Sequence, residues 1–376
     1  MSIPERYTDH TAIYPLNQTT NTSINTFAKK KFLALQIILP ITFVLAIAGV
    51  IVNSLICYAI IKKKELHTPT YYLMINMAIS DALITIFTSL VTAIHYYLSY
   101  YVITTPLLVA ACKITCFVDA VAFASSTLTL TAIAIERYYK ILPSSSYKTS
   151  CINSSFKLKS TIGFTWMAGI IVAIPYLVFV DIVPENPWIC SILYLGPSFN
   201  KPYFITLLIL IYVIPNILII YFYARIIHYL GLKKISQINL NQAVFKNNRK
   251  AQINTIKMLI LVTIGFMCTS LPIFAAYIII AYSGLHMVDY LIHVNNLQSS
   301  IAQIAFIMVT ISCCQNPLIY IYYNQTIRKT LSKSFRRWYK IFTAKFCCTS
   351  SNQKLSNIHL VVTYSNSPRL SEKILI

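Results

Sequence analysis

The sequence predicts an all-α membrane protein, a seven-transmembrane helix bundle with a short amphipathic helix after the seventh span. Three observations carry that expectation. Of 376 residues, 57% are hydrophobic and only 11% charged, and the mean hydropathy of +0.64 lies well outside the range of an ordinary soluble domain. Seven apolar runs, at 32–61, 71–98, 109–139, 160–182, 203–230, 255–282 and 294–323, are each long enough to span, since about 20 residues cross the hydrocarbon core as a helix. The basic residues, finally, are sorted by loop.

That sorting sets the topology. The loops after runs one, three and five hold Lys62, Lys63, Lys64, Lys140, Lys148, Lys157, Lys159, Lys233, Lys234, Lys246, Arg249 and Lys250, and the tail adds Arg328, Lys329, Lys333, Arg336 and Arg337. The intervening loops offer only Lys113 and Lys201. By the positive-inside rule the first set is cytoplasmic and the N-terminus is outside. Lys29, Lys30 and Lys31 precede run one on the outer side and run against this, but the larger count prevails. The net charge of +21 therefore marks membrane orientation, with lipids as partners and no nucleic acid. Residues 1–31 form a polar, Thr- and Asn-rich outer segment with no apolar core of a signal peptide. Its Asn17 and Asn21 match the glycosylation pattern.

Charge inside a span is costly, roughly 2.5–3.5 kcal/mol on insertion scales, and such groups face a bundle interior or a wet cavity. Of ten carboxylates only Asp81 and Asp119 fall well within spans, with Glu136 at a cytoplasmic edge. In run three, Ser126 follows Asp119 by seven residues and Arg137 by eighteen, near-whole numbers of turns, so all three share a face. Asp119 and Arg137 then lie roughly 27 Å apart, close to the thickness of the hydrocarbon core. A buried, merely satisfied carboxylate is the bland alternative for Asp119.

The other spans add polar and kinking residues. Asn53 in run one and Asn76 in run two need partners on other helices. Cys112 and Cys190 fall on the outer side, where oxidation is permitted, and are expected to pair, with Cys116 a competing partner. Trp166 and Pro175 in run four read as packing residues. Pro215, Pro272 and Pro317 mark kinks in runs five, six and seven. From Thr326 to Trp338, Ile327, Leu331, Phe335 and Trp338 recur at helical spacing against a basic face, which suits a helix lying on the inner leaflet. Cys347 and Cys348 beyond it offer palmitoylation sites. The expected organisation is an extracellular segment over 1–31, the seven-span domain over 32–323, the surface helix over 324–340 and a cytoplasmic tail over 341–376.

From about residue 34 to 338 the chain resembles a rhodopsin-like G-protein-coupled receptor. The resemblance rests on Asn53, Asp81, Cys112, Glu136-Arg137-Tyr138, Trp166, Pro215, Pro272 and Asn316-Pro317-Leu318-Ile319-Tyr320, in order and on successive helices. It implies that Asp81, Ser126 and Asn316 surround an allosteric sodium ion, with no other cofactor, and hard oxygen ligands suit that ion. It implies that Arg137 engages a heterotrimeric G protein when run six swings outward, with Tyr223 and Tyr320 moving in support, and that Glu136 pairs with Arg137 at rest. It implies a Cys112–Cys190 disulfide, and it places ligand contacts at Asp119, Phe123, Phe274 and Phe306. Two departures stand out. Ser270 replaces the usual tryptophan two residues before Pro272, and Gln252 stands where some members carry an acidic partner for the arginine, so basal signalling is expected.

Asp119 matches the carboxylate that amine receptors and several peptide receptors pair with a ligand cation. Leu207, Leu208 and Ile211 stand where amine receptors often have serines, and Thr310 where a tyrosine commonly closes the amine pocket. A peptide ligand is therefore favoured, with a biogenic amine as the alternative. The alternative from a different class is a transporter or channel with Asp81 and Asp119 lining an ion path, which has no support from inverted repeats or paired broken helices. No nucleophile elbow, phosphate loop or metal-spaced His pair supports an enzyme.

Overall fold

The computed structural model describes residues 18–101, 106–142, 154–182, 190–191, 197–236, 243–283 and 296–340. Seven long helices appear in the order expected: α1 (Gln18–Lys62), α2 (Pro69–Tyr101), α3 (Pro106–Ile141), α4 (Ser155–Phe179), a fifth rod α5, α6 (Ala243–Ser283) and α7 (Asn296–Tyr323). Six hold described stretches long and apolar enough to cross a membrane. The seventh, α7, has 28 residues. Exposed Ile and Leu side chains such as Ile47, Ile171 and Ile217 cover the outside of the bundle, as a lipid-facing surface requires.

Helix ends depart from the apolar runs where nothing in the sequence stops a helix. Residues 18–31 contain neither Gly nor Pro, so α1 runs back to Gln18, well beyond the predicted start at 32. Ser154 caps α4 by accepting from the Lys157 backbone N–H at 3.2 Å, which fixes its start.

The fifth rod is α-helical over Pro197–Leu207 and Ile214–Ser236, with a π-helical turn over Leu208–Val213 between them. A plain kink at Pro215 was expected. Instead Ile214 N–H bonds back to the Ile209 carbonyl, five residues earlier, and the helix widens just before the proline. Proline has no N–H to continue the α ladder, and one wider turn absorbs the mismatch.

Helix α3 packs between α2 and α4 and also contacts α5, while α1 packs on α2 and α7, and α6 on α7. Small residues let backbones approach: a Cβ on Gly169 of α4 would stand 2.7 Å from the Val121 carbonyl oxygen of α3, and one on Gly49 of α1 would stand 2.8 Å from Thr85 of α2. Buried polar side chains tie helices together. Asn76 donates to Thr129 of α3 at 2.8 Å and accepts from the Trp166 indole at 2.9 Å. Asn53 donates to the Cys313 carbonyl of α7 at 3.1 Å. Trp166 is thus a packing residue with one cross-helix bond, as expected.

One short antiparallel ladder interrupts the all-α picture. Strands β1 (Asp181–Ile182) and β2 (Cys190–Ser191) pair with Ile182 opposite Cys190, and β2 lies against α3. Cys112 is disulfide-bonded and Cys116 forms no disulfide, which removes the competing pairing. The Cys190 side chain lies outside the described residues, as do Asn17, the Asn21 side chain, Cys347 and Cys348.

The chain divides into two compact units after Tyr323. The second carries helix α8, over 325–340, whose start Asn324 caps by accepting from the Thr326 and Ile327 N–H groups at 3.0 and 3.1 Å. Along α8, Ile327 and Leu331 are buried, whereas Phe335, Trp338 and Tyr339 are exposed beside Arg336, Arg337 and Lys340.

Candidate functional site: a ligand pocket and a cytoplasmic switch

The outer level is built around Asp119. Thr88 of α2 donates to its Oδ1 at 2.9 Å, and the carboxylate interacts electrostatically with Tyr277 and Cys116. Aromatic rings wall this region. Phe123 of α3 packs on Phe266 and Phe274 of α6, with centroids 5.8 and 5.7 Å apart. Tyr212 lies 5.1 Å from Phe274 and donates its hydroxyl to the Met267 carbonyl at 3.0 Å. Tyr277 stacks on Phe204 at 4.9 Å, and Tyr176 meets Tyr203 edge-on at 6.0 Å. Phe123 and Phe274 therefore pack on each other across α3 and α6, and the Phe306 side chain lies outside the described residues. A carboxylate among aromatic faces favours a cation, by charge and by the ring quadrupoles.

Thr88, Tyr212 and Tyr277 were not singled out from the sequence. A signal existed for the first, because Thr88 lies two turns from Asp81 and so shares its inward face. Tyr212 sits in the π-helical turn, which resets the phase of α5 and defeats periodicity arguments.

At mid-depth Asp81 is fully buried. Ser126 of α3 donates to its Oδ1 at 2.7 Å and Asn316 of α7 to its Oδ2 at 2.9 Å. The three residues that resemblance grouped do converge. Among the described residues, Asn316 Oδ1 and Ser312 Oγ are buried with no hydrogen-bond partner. An orphaned amide oxygen on a residue bonded to the Asp81 carboxylate, with the Ser312 hydroxyl one turn away along α7, is chemically suited to a small hard cation. No cluster of three or more His, Cys, Asp or Glu side chains appears among the described residues, so a transition metal has no such site there.

The inner level holds Glu136-Arg137-Tyr138. Glu136 is buried and lies 3.4 Å from Arg137 Nε and 4.0 Å from Lys140 Nζ, and Thr70 of α2 donates to it as well. The expected Glu136–Arg137 pair is present, and Thr70 and Lys140 are additions to it. Tyr138 packs on Phe222 of α5 at 5.1 Å. Tyr223 is buried and bonds to Thr263 of α6, and the Tyr320 hydroxyl points at Met77 Sδ, 3.9 Å away. A cleft of about 60 Å³ opens beside the arginine, lined by Arg137, Lys140, Ile141, Gln252, Thr255 and Ile256. Gln252 thus faces this cleft, where an acid would have paired with Arg137.

At the departure near Pro272, Ser270 is buried and spends its hydroxyl on the Phe266 carbonyl. The aromatic mass at this depth comes from Phe266, Phe123 and Phe274 instead of an indole.

The helix bundle thus carries Asp119 among aromatic rings on one side of α3 and Arg137 beside a basic cleft eighteen residues further along it. The family description "7 transmembrane receptor (rhodopsin family)" matches residues 52–320, and the chain belongs to that family. It is similar to neuropeptide FF receptor 1 of Rattus norvegicus, 24% identical over 309 residues that cover 78% of this chain and 68% of the relative. It is also similar to the QRFP-like peptide receptor of Branchiostoma floridae, 27% identical over 301 residues, 78% of this chain and 76% of the relative. The crystal structure of squid rhodopsin superposes with a TM-score of 0.66 at 20% identity, over 81% of this chain and 86% of that one, which shows the fold.

Proposed function

We propose that this protein binds an extracellular peptide and activates a heterotrimeric G protein from the plasma membrane, with its N-terminus outside. The observation that carries the reading is the arrangement on α3: Asp119 in an aromatic pocket at one end and Arg137 in a cleft at the other. The relatives named for peptides support the ligand class. Leu207, Leu208 and Ile211 of α5 stand where an amine site would use serine hydroxyls.

In this mechanism a basic group of the peptide pairs with Asp119, which Thr88 orients, and presses on the aromatic wall that joins α3 to α6. Movement of the inner end of α6 then widens the cleft beside Arg137. Asp81, Ser126 and Asn316 would hold a sodium ion, which would supply a positive charge against the buried carboxylate. Cys112 pairs with Cys190, Asn17 and Asn21 carry glycans, and α8 rests on the inner leaflet, anchored through palmitoylated Cys347 and Cys348.

The test is a peptide library screened on cells with a G-protein activation readout, followed by Asp119→Ala. A charge-assisted hydrogen bond contributes about 1.5–3 kcal/mol, so potency should fall about 10- to 100-fold at unchanged surface expression. Unchanged potency would remove Asp119 from the site.

A further inference from the structure

The seam between α6 and α7 contains a contact that the resemblance does not assign. Gly265 of α6 has no side chain, and the amide of Gln315 of α7 sits directly on it. A Cβ built at Gly265 would stand 2.7 Å from Gln315 Nε2 and 2.9 Å from both Cδ and Oε1. Only glycine lets the backbone of one helix approach the side chain of another this closely.

Its neighbours connect the seam to both ends of the molecule. The next residue on α6, Phe266, packs on Phe123 in the wall of the outer pocket. The next residue on α7, Asn316, donates to Asp81. Gly265 also lies inward of Pro272, on the part of α6 that has to move for the cleft to widen.

We propose that Gln315 is a positioning residue: its amide, seated on Gly265, registers α6 against α7 in the resting state and must slide off when α6 moves. This rests on the receptor reading above. With Ser270 in place of an indole and Gln252 in place of an acid, the seat supplies resting-state hold that those two residues do not. The amide terminates a flexible side chain, so Gly265→Ala displaces it without breaking the backbone.

The experiment places spin labels at Lys159 of α4 and Lys257 of α6, both exposed, by a cysteine-independent chemistry in the full chain reconstituted in nanodiscs. Inter-label distances are read without ligand, alongside basal nucleotide exchange on a panel of purified G-protein heterotrimers. Gly265→Ala should raise the long-distance fraction about fivefold or more, and Gln315→Ala should raise it in the same direction. The Gly265→Ala/Gln315→Ala double variant should return to within about twofold of wild type, because the new methyl group fills space the amide has left. A double variant no closer to wild type than Gly265→Ala, or single variants that lose only thermal stability while the distances stay put, would overturn the proposal. Should wild type drive exchange on no heterotrimer, the receptor reading fails while the distances still decide the seat.

Discussion

The approach of α4 to the α3 backbone at Gly169 offers a controlled pair of substitutions on one helix. A Cβ at Gly169 would lie 2.7 Å from the Val121 carbonyl oxygen and 3.5 Å from its C and Cα, all backbone atoms of α3 that cannot rotate away. A Cβ at Gly163, also on α4, would meet nothing within 4 Å. Overpacking of this kind costs about 1–3 kcal/mol, partly offset by the roughly 0.5–1 kcal/mol that alanine gains over glycine inside a helix. Gly169→Ala should therefore lose about 1–2 kcal/mol net, and Gly163→Ala should gain up to about 1 kcal/mol. At a few degrees per kcal/mol, thermal unfolding of the two purified variants in identical nanodiscs should separate them by about 5 °C or more. The functional corollary follows from position, since Val121 lies two residues from both Asp119 and Phe123. A Gly169→Ala protein that melts at or above Gly163→Ala would refute the reasoning that α3 and α4 are held at contact distance here.

Other outcomes follow from the inner and middle levels. Gln252→Glu places a carboxylate in the cleft with Arg137, and an exposed ion pair of about 0.2–1 kcal/mol should lower ligand-free G-protein activation by up to about fivefold; unchanged or raised basal activity counts against the cleft as a resting-state determinant. Asp81→Asn removes the only carboxylate among the mid-depth oxygens, so replacing sodium by potassium at constant ionic strength should alter ligand potency in wild type and leave the variant indifferent. Equal responses in the two proteins would argue against a sodium site at Asp81.

Most of the bundle was legible because hydrocarbon imposes two rules that a sequence displays openly: spans must be long and apolar, and a buried polar group must find a partner. Asp81, Ser126 and Asn316 lie on three helices, yet each was conspicuous as a polar residue in an apolar run, and they converge as expected. The same-face arithmetic on α3 also holds, with Asp119, Ser126 and Arg137 all turned inward. What escaped was carried by residues that look ordinary in a span. Thr88 and Thr70 bond across to α3, but in sequence they look like the many threonines whose hydroxyls satisfy themselves on their own helix, as Thr92 and Thr131 do here. Gly265 and Gln315 matter only as a pair, fifty residues apart in sequence, and neither has a periodic signature. The start of α1 was misplaced because hydropathy locates the membrane and not the helix.

The π-helical turn in the fifth rod has one more effect. By winding one extra residue into that turn, it rotates everything on its cytoplasmic side by about 100° relative to an uninterrupted helix. Tyr223 owes its inward orientation toward Thr263 to that phase offset, so a single-residue deletion within Leu208–Val213 would swing it out toward lipid while leaving every side chain of the outer pocket above the deletion in place. A six-residue stretch of plain aliphatics and one tyrosine thus acts as the angular gauge between the half of the rod that meets the messenger and the half that reports it.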